Sequence, residues 1–149
     1  MKATLLTGRI LFSLIFLMSG MSHFSAMSIS YAAAAGVPMA GFLVPASGII
    51  AMLGGLSILL GYKAKLGGWL ITIFLVPVTF VMHQFWKVTD PMMQQMQMVM
   101  FMKNLTIIGG ALMFAYFGAG PLSLDARAAA KQKTGSFTTK EQETWKQAS

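Results

Sequence analysis

Few side chains in the apolar stretches of this chain can ionise or carry a proton, and their rarity gives them weight. An ionisable group inside a membrane span is costly and marks a site by default. Lys103 and Asn104 lie within "MVMFMKNLTIIGG", His83 near the end of "LITIFLVPVTFVMHQFW", and His23 near the end of "LLTGRILFSLIFLMSGMSHF". An ammonium can stabilise negative charge on a reduced carbonyl oxygen, and an imidazole exchanges protons near neutral pH. Met92, Met96 and Met100 recur every four residues and share a helix stripe with Lys103. Thioether sulfur is a soft ligand able to hold Cu(I). Methionine is equally an adaptable apolar filler, or a deformable lining for a flat hydrophobic molecule such as a quinone. Arg9 sits about one turn inside the first apolar run. It either snorkels to the interface or pairs with a buried acid. The spans contain no Asp or Glu, which leaves Asp125, just after the last span, as the partner of matching height.

These residues need elements to hold them. Of 149 residues, 56% are hydrophobic and 10% charged, against about 25% charged in a soluble domain. The apolar residues form four runs: Leu5 to Phe24, Phe42 to Gly61, Leu66 to Trp86 and Met98 to Gly118. Each is close to the roughly 20 residues that cross a bilayer as a helix, and none alternates as a barrel strand would. The expectation is an all-α, integral membrane four-helix bundle over residues 1–121, followed by a polar, mobile tail over 122–149. The basic start and apolar run of the N-terminus also resemble a signal peptide, but Arg9 interrupts the run and no clean cleavage site follows, so an uncleaved first helix is expected. The chain has no cysteine, which removes disulfide, thiolate and zinc-thiolate chemistry.

Basic residues set the expected orientation. Lys2 and Arg9 flank the first span, Lys63 and Lys65 fill the second connection, and Arg127, Lys131 and Lys133 follow the fourth span. The connection over residues 25–41 has no charge, and Lys87 and Asp90 cancel in the third. The positive-inside rule then puts both termini in the cytoplasm, and the net charge of +7 reports topology rather than nucleic-acid binding. By helix rise, Lys103 lies about 21 Å and His83 about 25 Å from the cytoplasmic ends of their helices. With His23 and Asn104 they form a candidate polar layer in the outer leaflet, the alternative being that each simply caps a helix end at headgroup level. The apolar connection "YAAAAGVPMAGF" reads as a short surface helix, a lid or a connector resting on lipid.

Close packing is written in small residues. Gly41, Gly48 and Gly55 repeat every seven residues, and Gly54 and Gly61 do so one step round. Gly67 and Gly68 open the third span, Gly109 and Gly110 lie in the fourth, and Ser13, Ser19 and Ser22 suggest a contact face on the first. Pro77 is expected to kink the third span, and Pro45 to be tolerated in the first turn of the second.

Taken in order, "GRILFSLIFLMSGMSHF", "AAAAGVP", "GGLSILLGY", "HQFW", "KNL" and "GGALMFAYFGAGPLSLD" resemble the DoxX family over Gly8 to Asp125. The resemblance implies a four-helix protein of the bacterial inner membrane, in a family named for a subunit linked to quinone-coupled sulfur oxidation and with members tied to oxidative stress. It also implies that Arg9, His83, Lys103, Asn104 and Asp125 occupy the family's recurrent polar positions. One departure stands out: Ala51 occupies a position before Gly54 and Gly55 where the family often has a glutamate.

The expected function is a membrane subunit that binds a quinone or similar lipid-soluble molecule near His83 and Lys103 and works with a redox partner. The sequence has no GxGxxG fingerprint, P-loop, haem attachment motif or Cys cluster, so no intrinsic cofactor is expected. The alternative is a non-enzymatic scaffold, lipid binder or small transporter, and homo-oligomerisation is compatible with either. The orientation is open to direct test. A reporter fused after Ser149 is expected to be labelled only after the membrane is permeabilised, and labelling of intact cells would reverse the assignment.

Overall fold

The computed structural model describes residues 2–132. The chain folds into four long helices, α1 (Lys2–Ser22), α3 (Ala40–Leu60), α4 (Ala64–Met82) and α5 (Pro91–Phe117), with a short α2 (Ala26–Ala34) after α1. A single 3-10 turn, Phe85–Lys87, joins α4 to α5, and residues 124–132 form a closing helical segment. The four long helices are long and apolar enough to cross a membrane. Large apolar side chains cover the perimeter: Leu11, Met18, Phe42 and Ile73 are all more than 60% exposed. In water such a surface would drive aggregation; facing lipid it is in its own solvent.

The helices pack in chain order, α1 on α3, α3 on α4, α4 on α5, and Phe12 closes the ring by packing against Phe114, 5.0 Å between centroids. The core is built from Phe16, Ala51, Ile58, Ile71, Phe74, Leu75 and Ala111. Ala51 is fully buried, so the position where the family resemblance implies an acid is here a plain packing position.

Glycines set the interhelical distances. A Cβ at Gly48 would stand 2.8 Å from the Gly20 carbonyl oxygen of α1, and one at Gly67 3.0 Å from the Gly54 oxygen across the α3–α4 contact. A Cβ at Gly68 would meet Ala115 N at 2.5 Å and Ala111 O at 2.6 Å, which are backbone atoms with nowhere to go. The seven-residue series on α3 splits: Gly48 and Gly55 face α1, whereas Gly41 and, on α5, Gly109 have nothing within 4 Å. On α1 the buried face is Arg9, Ser13, Phe16 and Gly20. Ser19 is only half-buried, and Ser22 is exposed with its hydroxyl donated to the Ser19 carbonyl.

Three boundaries differ from the sequence expectation. Helix α5 begins at Pro91, seven residues before the expected span. Asp90 caps it, its carboxylate accepting from Met93 N at 2.8 Å, and proline is well suited to the first helical position. At 27 residues it is about 40 Å long, roughly 10 Å more than the hydrocarbon core. Pro45 is the sixth residue of α3 and lies inside the helix, beyond the first turn. Its missing N–H leaves the Gly41 carbonyl without its helical donor. Helix α4 runs on through Pro77 to Met82. The apolar connection is half helix: Ser25 caps α2, its hydroxyl accepting from Ser28 N. It packs through Ala32 with Ala40 and Val44, beside Val37 and Met82. The expected tail lies outside the described residues from 133 onward, but its first residues are part of the packed structure, as shown below.

The split glycine series gives a paired test. Gly48→Leu is expected to lower stability in mild detergent by about 1–3 kcal/mol, the usual cost of overpacking, while Gly41→Leu at the same helical register leaves it near wild type. Thermal unfolding followed by circular dichroism reads both.

Candidate functional site

The polar groups of the chain gather at the two ends of the bundle. At one end, Arg9 is only 2% exposed. It does not pair with Asp125 as the sequence suggested: its guanidinium donates instead to three backbone carbonyls. Nε reaches Ile58 O at 3.0 Å, a second nitrogen reaches Leu59 O at 2.6 Å, and the third reaches Leu122 O at 3.1 Å. The first two acceptors belong to the last turn of α3, which a cation complements both by hydrogen bonding and through the helix dipole. The backbone finishes the same helix end. Gly61, at φ 64°, donates to Ile58 O, and Tyr62 N donates to Ser57 O, the paired bonds of a Schellman motif.

Asp125 serves a different helix. Its two carboxylate oxygens accept from Lys63 N at 2.8 Å and Ala64 N at 3.1 Å, donors at the start of α4 that have no acceptor within the helix. Lys63 has φ 50° and supplies no side-chain cap, so the cap comes from 62 residues away. Asp125 N also donates to Gly61 O at 2.9 Å. Ser123, buried, accepts from Ala126 N at 3.1 Å and so starts the closing helical segment. To reach this seat the chain turns through Gly118, Gly120 and Leu122, all at positive φ. The Gly-x-Gly-x-x-Ser-Leu-Asp pattern is thus a turn and a cap, and Leu122 to Asp125 belong to the bundle rather than to a tail.

At the other end, His83, Gln97 and Tyr31 form a relay across α4, α5 and α2. His83 Nδ1 stands 2.8 Å from Gln97 Oε1, and Gln97 Nε2 donates to the Tyr31 hydroxyl at 3.4 Å. With the Gln97 amide in this orientation His83 carries its proton on Nδ1; turning the amide over would reverse both bonds and exchange the free donor and the free acceptor at the two ends. The relay leaves two free valences: the Nε2 lone pair of His83 and the O–H of Tyr31. Beside it Phe101 sits among three rings, Phe80 at 5.4 Å, Phe85 at 5.5 Å and Trp86 at 5.9 Å. A groove of about 400 Å³ opens nearby, lined by Phe85, Pro91, Gln94, Gln95 and Met98.

The remaining candidates are placed apart. His23 bonds Ser47 Oγ through Nδ1 at 3.0 Å and packs against Phe74. Ser47 in turn donates to Val44 O, so His23 is the donor to it. Lys103 is exposed, with Nζ 3.2 Å from Met100 Sδ, and bonds this sulfur rather than His83. Asn104, 5% exposed, makes no side-chain hydrogen bond among the described residues. It follows Gln97 by seven residues, two turns deeper on the same face. Of the methionine stripe suggested for Cu(I), Met92 and Met96 are exposed on α5. Among the described residues no three His, Cys, Asp or Glu side chains gather as a metal site. Sequence reasoning missed Gln97 and Tyr31 as partners of His83. The signal for Gln97 was its seven-residue spacing from Asn104 and from Asn104 to Ala111.

The DoxX family model matches residues 4–84 of this chain. That span includes Arg9, His23 and His83 and stops short of α5. The inner membrane protein YqjF of Escherichia coli (strain K12) is 33% identical over 122 residues, which cover 80% of this chain and 88% of that protein. No solved structure matches the chain significantly.

The geometry separates the roles of Arg9 and Asp125. Arg9→Met strands the Leu59 and Leu122 carbonyls, Ile58 O keeping the Gly61 N–H, and is expected to cost at least about 2 kcal/mol. Asp125→Ala removes one remote helix cap and is expected to cost about 1–2 kcal/mol. Because Arg9 holds Leu122, which leads the chain to Asp125, the two share one network even without an ion pair, and the double variant is expected to cost less than the sum, read by chemical unfolding in detergent.

Proposed function

The chain belongs to the DoxX family and is an inner-membrane protein, and from that premise we propose that it is a membrane subunit that binds a quinone, or a similar lipid-soluble ring, at the His83 end and works with a redox partner. The observation that carries this reading is the Tyr31–Gln97–His83 relay, which in either orientation of the Gln97 amide ends in one free donor and one free acceptor. A quinone carbonyl needs a donor, and with Nδ1–H on His83 the Tyr31 O–H is free to be one. A quinol hydroxyl needs an acceptor, and the His83 Nε2 lone pair is free to be that. The donor role expected of Lys103 falls in this reading to Tyr31, because Lys103 stands on the outer surface of α5. The ring cluster of Phe80, Phe85, Trp86 and Phe101 supplies flat apolar walls for a ring to stack on. Asn104 would offer a further amide deeper on the same helix face.

The proton chemistry follows from the same polarity. Oxidation of a quinol releases two protons and two electrons. His83 would take one proton on Nε2 and become a cation, with its Nδ1–H still held by Gln97. The second proton would leave through the hydroxyl of Tyr31 to water. The two electrons would pass to the redox partner. In the orientation expected from the basic residues, protons leave on the outer side of the membrane.

One observation favours a second reading, a non-enzymatic scaffold. Arg9, Ser123 and Asp125, which carry much of the family resemblance, are used up in holding helix ends together. The two readings separate in a binding measurement. In nanodiscs, added ubiquinone or menaquinone analogue is expected to quench Trp86 fluorescence saturably. Gln97→Leu and Tyr31→Phe are each expected to weaken that binding about tenfold, the worth of one good hydrogen bond. Quenching that does not saturate, or that neither variant alters, would leave the scaffold reading standing.

A further inference from the structure

The opposite end of the bundle holds a groove of about 630 Å³ that the quinone reading does not use. Its walls are the start of α4, with Lys63, Lys65 and Leu66, and the end of α5, with Phe117, Gly118 and Gly120. Lys63 and Lys65 are exposed, and neither forms an ion pair among the described residues. The acid in the groove, Asp125, has both carboxylate oxygens engaged by backbone N–H groups at the start of α4. The ammonium of Lys63 hangs over the Tyr62 ring at 5.6 Å. Gly118 has no side chain, and the stem of Lys65 lies across it: a Cβ there would be 3.7 Å from Lys65 Cγ. On the closing segment, Arg127 and Lys131 are exposed, one turn apart.

This makes a site of mixed character. It has a cationic rim and apolar flanks, since Leu66 is 54% and Phe117 66% exposed, and it sits where two membrane-spanning helices end. We propose that the groove is a binding site for the headgroup of an anionic phospholipid. The phosphate diester would lie between the Lys63 and Lys65 ammonium groups, and the acyl chains would run down past Leu66 and Phe117. Free phosphate shares the headgroup chemistry but would make no use of the apolar flanks. Basic pockets between transmembrane helices are suited to such headgroups, and each lysine near the surface adds a several-fold gain in affinity. The site stands on different residues and the opposite end from the quinone reading, so either can fail alone.

The experiment is native mass spectrometry of the full chain in mild detergent, titrated with phosphatidylglycerol or cardiolipin and, separately, with phosphatidylethanolamine. The expected result is saturable retention of the anionic lipids only, weakened about tenfold or more in the Lys63→Gln, Lys65→Gln double variant and unchanged in Lys87→Gln at the other end. The backbone, not the side chain, of Lys63 contacts Asp125, so the variant keeps the α4 cap, and its melting temperature checks this. Should the double variant unfold, the single Lys65→Gln variant and the salt dependence of wild-type binding replace it, with affinity expected to fall as salt rises. Equal retention of both lipid classes would overturn the proposal, as would undiminished binding in the variants. So would displacement of the lipid by millimolar inorganic phosphate, which would mark a site for free phosphate instead.

Discussion

The structure turns on one buried guanidinium. Taking an arginine out of water costs several kcal/mol, and among the described residues no carboxylate hydrogen-bonds Arg9, Asp125 acting on it only through space. Three carbonyl acceptors offset the cost instead, and their sources explain why it is tolerated. Leu59 O is a helix-end group that nothing within α3 can satisfy, and Ile58 O takes Arg9 in addition to the Gly61 N–H. Leu122 O belongs to a turn that would otherwise have no reason to return to the bundle. One side chain of α1 thereby fixes the end of α3 and the exit from α5 at once. The rest of that end follows. Once Leu122 is held, Ser123 and Asp125 are delivered to their positions, and Asp125 reaches the bare N–H groups of α4. All four long helices meet in this one knot, although only adjacent pairs pack extensively along their lengths.

The two ends of the bundle therefore differ in kind. Around Arg9 the guanidinium and the helix-end carbonyls are matched to one another, although one turn along α1 the buried Ser13 hydroxyl has no partner among the described residues, and charge is left at the surface on Lys63 and Lys65. Around His83, the relay is satisfied internally yet ends in one free donor and one free acceptor, with an unengaged amide at Asn104 below. A matched network makes a rigid structure, and an unmatched one has binding capacity. The contrast also separates two groups of residues that a sequence pattern presents as equals. Arg9 and Asp125 belong to the architecture. His83 belongs to the end that retains hydrogen-bonding capacity.

Much of this was legible because membrane physics simplifies the code. Span length and hydropathy give the four helices, and the glycine spacings give their contact faces, since lipid offers no hydrophobic force to do it otherwise. What failed to show were relations between distant residues. Arg9 and Asp125 were paired by charge and height, the natural inference when a cation and one acid share a level. The backbone carbonyls that actually receive Arg9 carry no signature in side-chain identity. The start of α5 was placed too late because "PMMQQMQ" is not apolar enough to count as span, although Asp90 and Pro91 are a strong cap signal. Gln97 was overlooked as a glutamine in an apparent loop. It became a buried-face residue only once that segment was helical.

The filled interior limits what the protein can do. Ala51, Ile58, Ile71 and Ala111 are fully buried, and the glycine contacts bring α3 against α1 and α4 with backbone nearly touching backbone. Among the described residues this middle layer is closely packed. The grooves of about 400 and 630 Å³ lie at the two ends. A transporter would need this packing to open through its middle, and doing so would break the close contacts that replace a hydrophobic driving force in lipid. A protein that binds at its ends and perimeter needs no such change. The tight middle and the grooves at the two ends thus follow from the same glycine-set spacing of the helices.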